Sequence, residues 1–260
     1  GLVSALKLAG THQVDLFEKR PIPGGCLGSY RIGDYLIEED YHHCFAGDVS
    51  LLDLFDRLQV TDRLEWLRGS TGYYVDGIVH PLTTPIEILR YPHLTLTEKA
   101  RLGLLTLRSR RLDVSALDGI TAKEFILENL GPGIYASFFE PLLKSKFGDR
   151  RDEVSAAWLI SRIAIRSDRG AGGERLGYLK GGFQQFVARL VEEATRKGAS
   201  IMLDTPVKEI RRKGDGWVVD GSAYDCVIST VPPQVTAELA NVDMNPVPYQ
   251  GAACMTLALD

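Results

Sequence analysis

The sequence lacks the marks of several classes of protein. Its four cysteines form no C-x-x-C pair and no zinc-like spacing, which predicts reduced thiols and a cytosolic compartment rather than a disulfide or zinc scaffold. No uncharged apolar run reaches the length of a membrane span. The formal net charge of -4 provides no basic field, so we expect no nucleic-acid partner.

Motifs of hydrolytic and nucleotide-hydrolysing enzymes are absent as well. There is no G-x-S-x-G nucleophile elbow, no H-E-x-x-H zinc motif and no G-x-x-x-x-G-K-S/T phosphate loop. What remains is the composition of an ordinary globular protein, with 45% hydrophobic and 25% charged residues among 260. A chain of this length can bury a large core in one or two domains.

The first stretch of the chain is the most informative. Apolar residues recur at helical spacing over Leu2–Ala9, and a glycine then ends the helix. A short apolar run, Val14–Phe17, ends in the acidic Glu18 and predicts a buried parallel strand. In a dinucleotide-binding βαβ unit, the carboxylate at this strand end accepts hydrogen bonds from ribose hydroxyls. The following Gly24-Gly25 has no β-carbons and can lie close to a ligand.

The first half of that βαβ unit is missing from the sequence. Its signature is G-x-G-x-x-G about 20 residues before the acid, and Gly1 stands where the third glycine would be. Because there is also no initiator methionine, we expect a piece of a longer protein. The alternative is that Glu18 is a solvated charge at a strand end and that Gly24-Gly25 is an ordinary turn.

Five sequence words carry a resemblance to a known family. They are GLVSALKLAG, VDLFEKRPIPGG, EEDYHHCF, YLKGGFQQFVARLVEEATRKGASIMLDTPVKEI and YDCVISTVPP. The chain resembles the flavin-containing amine oxidase, protoporphyrinogen oxidase and phytoene desaturase superfamily, and the words do not identify a member. The resemblance implies an α/β fold, in which a discontinuous and here incomplete Rossmann-like FAD-binding domain carries an inserted, mainly helical α+β substrate domain. The implied plan places the FAD-binding domain at 1–47 and 181–245, the substrate domain at 48–180, and a return strand at 246–260.

The resemblance also implies FAD as the cofactor and a set of residues that bind it. The backbone of Val207 would meet the adenine, and the segment from Thr230 to Pro233 would lie beside the ADP half of the cofactor. The implied cofactor-binding residues are Gly1, Glu18, Lys19, Arg20, Gly24, Gly25, Val207, Thr230 and Pro232. Val207 is equally well explained as a buried strand residue, and the two roles are compatible.

Periodicity predicts the elements of the second FAD-binding segment. A helix over Phe183–Ala194 leads to a strand at Ser200–Leu203. Val207–Lys213 and Trp217–Val219 are predicted to form a hairpin around a Gly-Asp-Gly turn. Tyr224–Ser229 is predicted to be another buried strand of the parallel sheet.

The implied insert is mainly helical. T-x-x-E capping boxes at 95–98 and 121–124 each predict the start of a helix. Tight hairpins are predicted with turns near Gly33-Asp34, just before the insert, and at Asp76-Gly77 within it. The leucine- and arginine-rich helix over 97–112 is either an ordinary surface helix or a peripheral contact with an anionic membrane surface.

A histidine pair follows the first hairpin. In the superfamily this segment passes near the flavin ring, and in related sugar-nucleotide mutases an H-x-F word, matched here by His43-Cys44-Phe45, places a histidine against the flavin. His43 is therefore the one catalytic candidate, as a group that could polarise or orient substrate. The alternative is that His42 and His43 are hydrogen-bonded structural residues. No third ligand at metal spacing accompanies them, so no metal site is predicted.

The resemblance implies an FAD-dependent oxidoreductase that removes hydride from a small molecule, for which an isoprenoid, a porphyrin or an amine would each fit. One alternative is a non-redox sugar-nucleotide mutase, in which Arg162, Arg166, Arg169 and Arg175 are either a diphosphate cluster or a solvated basic face. Another is a non-catalytic, degenerate binding module. Without the first strand and glycine loop, we expect this chain alone to bind flavin poorly and to be inactive, and the intact protein to bind FAD.

Overall fold

The computed structural model describes residues 1–166, 175–245, 247–249, 251 and 253–257. Its α-helices are α1 Leu2–Leu8, α2 Val49–Arg57, α3 Pro85–Arg90, α4 Leu96–Arg108, α5 Ala122–Asn129, α6 Pro132–Ile134, α7 Glu140–Phe147, α8 Ala156–Arg166, α9 Gln184–Arg196 and α10 Pro233–Ala240. Its strands are β1 Asp15–Phe17, β2 Ser29–Ile32, β3 Tyr35–Glu38, β4 Leu64–Arg68, β5 Gly72–Val75, β6 Ile78–Pro81, β7 Arg175–Leu179, β8 Ser200–Met202, β9 Ile210–Lys213, β10 Gly216–Val219 and β11 Ser222–Tyr224. Short 3-10 turns lie at Gly25–Leu27, Thr61–Arg63, Ser109–Arg111, Ser115–Leu117 and Gly148–Glu153, and a π-helix lies at Tyr135–Phe139.

The chain divides into two compact units. The first unit comprises Gly1–His42, Asp53–Leu64 and Leu179–Asp260, and the second comprises His43–Leu52 and Glu65–Tyr178. This division groups Asp53–Leu64 with the two segments for which a nucleotide-binding fold is predicted, whereas the predicted plan places it in the insert. The predicted domain boundaries themselves stay a prediction.

In the first unit, the strand predicted before Glu18 is present. β1 pairs in parallel with β8, and Leu16 lies opposite Ile201. Two backbone hydrogen bonds extend the pairing: Glu18 N–H donates to Met202 O at 2.9 Å, and Thr205 N–H donates to Glu18 O at 2.9 Å. Among the described residues no third strand joins this pair. The strand-end acid therefore lies beside the segment that follows β8.

The antiparallel sheet of the first unit corrects one prediction. Its strands lie in the order β11-β10-β9, and Tyr224 of β11 pairs with Trp217 of β10. Asp225–Ser229 forms no strand, so the prediction of a parallel strand over Tyr224–Ser229 is wrong for this structure. A strand needs a neighbour for its backbone N–H and C=O groups. No strand in the described part of the chain provides one at this position.

The predicted hairpins of the first unit are confirmed with small changes. β2 and β3 pair around Gly33-Asp34, and β9 and β10 pair around the Gly-Asp-Gly turn, although β9 begins at Ile210 rather than Val207. Glu38 at the end of β3 is buried, and its Oε1 accepts a hydrogen bond from Phe183 N–H at 2.9 Å. This bond fixes the first hairpin to the residue that precedes α9.

Apolar packing between helices closes the first unit. α9 confirms the predicted helix over Phe183–Ala194 and packs against α1. The buried face of α9 includes Phe186 and Leu190, and the buried face of α1 includes Leu6. Phe55 of α2 meets Phe186 edge to face, with ring centroids 5.0 Å apart. The apolar stripe that the spacing predicts for α9 therefore packs against both α1 and Phe55 of α2.

The second unit is built on capped helices, as predicted. The Thr95 and Thr121 side chains each accept from the backbone of a glutamate three residues later, and that glutamate returns the bond. A third capping box, Thr84 with Glu87, opens α3 and was not predicted. One apolar core joins these helices; it includes Leu82, Leu94, Leu102, Leu105, Ala122, Ile126, Ile134, Phe139, Leu143, Leu159 and Ile160.

A hairpin docks on an unusual helix in the second unit. β5 and β6 pair around Asp76-Gly77, whose φ angles of 51° and 81° are those of the predicted tight turn. Tyr73 on β5 donates its hydroxyl hydrogen to Phe138 O at 2.6 Å, and Tyr91 donates to Ser137 O at 3.2 Å. Both carbonyls belong to the π-helix, and the tyrosines supply partners for its backbone.

The helix considered for membrane contact, α4, divides its leucines between the core and the surface. Leu102 and Leu105 of α4 are buried in the second unit's core, and Leu112, just beyond the helix, packs against that core. Leu104 and Leu107 are exposed, the latter at 79%. The buried leucines thus belong to the protein's own core, whereas Leu96, Leu104 and Leu107 of α4 remain on the outer surface.

Some predictions fall partly outside the described residues. Ala253–Leu257 of the predicted return strand at 246–260 forms no strand. Residues 246, 250, 252 and 258–260 of that prediction lie outside the described part, as does Arg169 of the mutase alternative.

Candidate nucleotide site

Gly1 lies where helix α1 approaches strand β1. A β-carbon added to Gly1 would be 3.2 Å from Leu16 Cδ1 and 3.5 Å from Thr230 Oγ1. The absence of a side chain therefore lets the start of α1 approach both the strand and the Thr230 segment closely. Close packing of helix on strand is the contact expected of the third glycine in a dinucleotide-binding turn. The structure thus brings two of the predicted cofactor-binding residues, Gly1 and Thr230, together.

Glu18 keeps part of its carboxylate available. Its Oε1 accepts a hydrogen bond from Arg20 N–H at 2.9 Å, which orients the side chain. The described residues provide no partner for Oε2, and the side chain is half-buried. A half-buried, oriented carboxylate with a free oxygen can accept hydrogen bonds from two vicinal hydroxyls.

The glycine pair Gly24-Gly25 forms a turn whose positive φ angles are unfavourable for residues with a side chain. Gly24 has a φ of 119° and Gly25 a φ of 59°, both in the region that favours glycine. A β-carbon on Gly24 would lie 3.1 Å from Val187 Cγ2 of α9. This backbone therefore lies directly on α9, and nothing within 4 Å would meet a β-carbon on Gly25. Gly24 is required by packing, and Gly25 leaves the backbone open on its outer side.

Arg20 links the strand end to the glycine turn. The neighbouring Lys19 is exposed. The Arg20 guanidinium forms an ion pair with Glu39 and donates a long hydrogen bond to Gly25 O at 3.5 Å. Its hydrogen bond to Glu39 is the main reason that the pKa of Arg20 is raised above its ordinary value. Glu39 was missed by sequence reasoning, because a contact between residues 20 and 39 leaves no local pattern.

Val207 and Pro232 lie outside the helices and strands. No described residue hydrogen-bonds the Val207 backbone, while its neighbours Lys208 and Glu209 donate their N–H groups to Asp220. The N–H and C=O of Val207 are therefore open to a planar, edge-on partner such as adenine. Pro232 caps α10, and its carbonyl accepts from Thr236 N–H at 3.0 Å.

His43 belongs to the second unit, unlike the residues above. Its ring meets that of Phe45 edge to face, with centroids 5.0 Å apart. The neighbouring Cys44 is fully buried, and burial raises the pKa of its thiol to about 11, which makes it an inert thiol at neutral pH. In the first unit, His42 Nδ1 donates to Asp40 O at 2.7 Å, because a carbonyl can only accept.

The part of the chain that the structure describes has neither a cluster of metal ligands nor a membrane span. The described ranges contain no group of three or more His, Cys, Asp or Glu side chains that could hold a metal ion. Every helix in those ranges is too short or too polar to cross a bilayer.

The residues present fit the ADP half of a dinucleotide cofactor. The oriented Glu18 carboxylate suits ribose hydroxyls, the side-chain-free turn at Gly24-Gly25 suits a close backbone approach, and the open Val207 backbone suits a base edge. All of these groups belong to the first unit. The fold is thus mixed α/β, and the residues predicted to bind the cofactor lie in its first unit.

The chain belongs to the family of flavin-containing amine oxidoreductases, whose family model matches residues 1–254. Membership in this family implies a flavin cofactor. The resemblance to this superfamily, which the sequence motifs predict, is therefore confirmed. The mutase and degenerate-module alternatives are not favoured by this match.

Curated relatives resemble the chain in sequence, and solved structures resemble it in fold. The chain is 26% identical to a 15-cis-phytoene desaturase of Solanum lycopersicum over 279 aligned positions, which cover 96% of this chain and 47% of the relative. A candidate protoporphyrinogen oxidase from Exiguobacterium sp. 255-15 matches with a TM-score of 0.64 at 22% identity, covering 92% of this chain and 58% of that one. A putrescine oxidase variant matches with a TM-score of 0.66 at 17% identity, covering 92% and 56%. The chain spans about half the length of the curated relatives it matches.

Proposed function

We propose that this chain forms the nucleotide-binding part of an FAD-dependent oxidoreductase that oxidises or desaturates a small molecule. Because the chain spans about half the length of its curated relatives, the proposal concerns a protein of the relatives' length that contains these residues. We refer to it as the longer protein. For this protein we also propose the discontinuous Rossmann-like domain with its helical insert.

The proposal of FAD depends on how four segments of the chain come together. Glu18 lies beside the segment after β8, through its backbone bonds to Met202 and Thr205, while Gly1 lies beside Thr230. Four chain segments that are distant in sequence thus converge in one unit. This convergence is what a nucleotide site between strand ends requires. Because the chain matches a flavin-containing family, we propose that the bound nucleotide is FAD.

The roles proposed for the chain's own residues are binding and orientation. Glu18 holds the ribose, the Gly24-Gly25 turn admits the pyrophosphate region, and the Val207 backbone meets the adenine edge. When bound, FAD supplies the acceptor for a hydride leaving a substrate carbon. His43 remains the candidate for polarising or orienting that substrate, and this role is a proposal from resemblance alone.

A half-reaction separates this proposal from the mutase alternative. Substrate candidates are added without oxygen to the flavin-loaded longer protein, and the visible absorbance of the flavin is recorded. A carotenoid precursor, a porphyrinogen and a diamine represent the three substrate classes of the named relatives. We expect stoichiometric bleaching with one of them, because hydride removal reduces the flavin. Turnover of a sugar nucleotide without change in the flavin's redox state would contradict the proposal.

Peripheral membrane contact and a cytosolic location remain further proposals. The support for membrane contact is limited to the exposed Leu104 and Leu107 and the arginines that follow them at 108, 110 and 111. Flotation of the protein with vesicles of anionic lipid tests the contact. We expect co-flotation that is lost when those three arginines are replaced by glutamine. Absence of co-flotation, or co-flotation that survives the replacement, would remove the proposal.

A further inference from the structure

One aspartate holds the backbone that follows Val207. Asp220 Oδ1 accepts a hydrogen bond from Lys208 N–H at 3.0 Å and another from Glu209 N–H at 2.9 Å. Asp220 Oδ2 also accepts from Lys208 N–H, at 3.1 Å. The main chain adds to the same contact, because Asp220 N–H donates to Glu209 O at 3.2 Å. Asp220 therefore engages the two residues after Val207 through both its side chain and its backbone.

The Asp220 carboxylate replaces a strand partner that this segment lacks. β9 begins at Ile210, which lies opposite Val219, the last residue of β10. The segment before Ile210 is thus beyond the paired part of the sheet, and its N–H groups need another acceptor. Asp220, the first residue after β10, provides that acceptor. Val207 lies just outside the held segment, and no described residue hydrogen-bonds its backbone.

The turn that contains Asp220 does not itself require a carboxylate. Asp220 and Gly221 have φ angles of 45° and 92°, and they form the two-residue connection between β10 and β11. Asparagine and glycine suit such left-handed angles as well as aspartate does. The turn alone would therefore accept Asn-Gly or Gly-Gly at these positions. Aspartate adds two acceptor oxygens for the backbone next to Val207.

From these contacts we infer that Asp220 is a positioning residue for the base of the bound nucleotide. Because it fixes the two N–H groups after Val207, it holds the Val207 N–H and C=O in one orientation. Adenine presents a donor, its 6-amino group, beside a ring-nitrogen acceptor, whereas a 6-oxo purine presents an acceptor at position 6. The Val207 carbonyl can pair with the first but not with the second. This inference rests on the proposed function, because it adds a residue to the same nucleotide site.

The test compares two nucleotides that differ only in the purine. ADP and inosine diphosphate are titrated into the apo form of the longer protein, in the wild type and in three variants. Asp220→Gly keeps a residue that suits the turn and removes the carboxylate, while Asp220→Asn keeps one acceptor oxygen. The control is Asp215→Asn. Asp215 is an exposed acid in the β9–β10 turn of the same sheet, so its replacement makes the same change in net charge.

The ratio of the two affinities separates positioning from a structural role. We expect the wild type and Asp215→Asn to bind ADP more tightly than inosine diphosphate. We expect Asp220→Gly to reduce that preference about tenfold, because a Val207 backbone that is no longer held can turn toward either base. Asp220→Asn should lie between the two. An aspartate with a merely structural role would weaken both nucleotides equally, and an unchanged ratio would overturn this inference.

Amide hydrogen exchange provides a second readout. Without nucleotide, we expect the N–H groups of Lys208 and Glu209 to exchange faster in Asp220→Gly than in the wild type. With ADP, the Val207 N–H should become protected in the wild type and stay unprotected in Asp220→Gly. Equal protection of Val207 in both proteins would overturn this inference alone, as would a wild type that binds ADP without preferring it. A longer wild-type protein that binds neither ADP nor FAD would overturn the proposed function as well.

Discussion

Single residues of the candidate site were predictable where the signal is local. The order of apolar run, acid and glycine pair identified Glu18 and Gly24-Gly25, because strand length and backbone freedom are properties of a few consecutive residues. Glu39 could not be predicted, since its contact with Arg20 bridges two separate elements. The proximity of Gly1 to Thr230 likewise depends on the folded chain. At this scale, sequence patterns find residues that shape the backbone and miss partners from distant segments.

Replacement of Glu18 by glutamine tests its role at the ribose. Glutamine still accepts the hydrogen bond from Arg20 N–H, so the local structure is kept. Loss of the negative charge weakens hydrogen bonds to ribose hydroxyls, and we expect the dissociation constant of FAD to rise about tenfold in the longer protein. Titration monitored by flavin fluorescence measures it. Asp215→Asn, in the exposed β9–β10 turn, is the control and is expected to bind FAD like the wild type.

Two glycine substitutions should change stability in opposite directions. Gly24→Ala places a β-carbon 3.1 Å from Val187 at a φ of 119°, and we expect it to lower the free energy of unfolding by about 1–3 kcal/mol. Gly103→Ala lies inside α4, with nothing within 4 Å of the added carbon. We expect that change to raise the free energy of unfolding by about 0.5–1 kcal/mol. Denaturant unfolding of both variants measures the difference, and equal effects would contradict the assigned backbone conformations.

Helices and hairpins were the most predictable elements. The capping boxes at 95–98 and 121–124 and the Asp76-Gly77 turn are confirmed, because each depends on residues within one turn of the chain. The strand predicted at Tyr224–Ser229 is wrong, because a strand depends on a partner that its own sequence does not contain. An apolar run between two turn signals is not sufficient to form a strand when no such partner is present. Element type follows local chemistry, and pairing follows the rest of the fold.

The cap of α5 predicts a pH-dependent stability. Thr121 Oγ1 accepts from Glu124 N–H at 3.2 Å, and we expect Thr121→Ala to cost about 1 kcal/mol at neutral pH. Hydrogen bonds from the Thr121 backbone and hydroxyl lower the pKa of Glu124 below its ordinary 4.5. Because the folded-state pKa is the lower one, the contribution of Glu124 is present above pH 4.5 and is lost as the pH falls through its folded-state pKa.

Thermal unfolding between pH 7 and pH 3 measures this effect. The gap between Thr121→Ala and the wild type should narrow at the acid end, because protonation of Glu124 weakens its hydrogen bond from the Thr121 hydroxyl, which the variant already lacks. Thr97→Ala, an exposed threonine within α4, serves as control and should stay within about 0.5 kcal/mol of the wild type. A gap that widens on acidification would contradict the assignment.

Two neighbouring tyrosines, Tyr73 and Tyr74, provide a test variant and its control for the contact between the β5–β6 hairpin and the π-helix. Tyr73 donates to Phe138 O at 2.6 Å, and burial raises the pKa of Tyr73 above its ordinary value. Tyr73→Phe leaves that carbonyl without its partner, and we expect a loss of about 1–2 kcal/mol in the free energy of unfolding. Tyr74, the next residue, is 75% exposed, so Tyr74→Phe should have almost no effect. Equal unfolding midpoints for the two variants would show that the bond contributes nothing.

At the scale of the whole molecule, the chain is an α/β protein of the flavin-containing amine oxidoreductase family that divides into two units. The family was predictable because its sequence motifs are short and consist largely of residues that shape the local backbone. Substrate and electron acceptor were not, because they depend on side chains that no word in this sequence specifies. The chain covers 47% of the tomato desaturase and 58% of the Exiguobacterium structure. The completeness of the nucleotide site is therefore a question about the longer protein.

The content of bound flavin tests the central claim most directly. The 260-residue chain and the longer protein are purified side by side, supplied with FAD, freed of unbound flavin, and their visible spectra recorded. We predict one FAD per longer protein and little or none on the 260-residue chain, because β1 pairs with one strand only and Asp225–Ser229 pairs with none among the described residues. A longer protein that stays colourless after reconstitution would contradict the account.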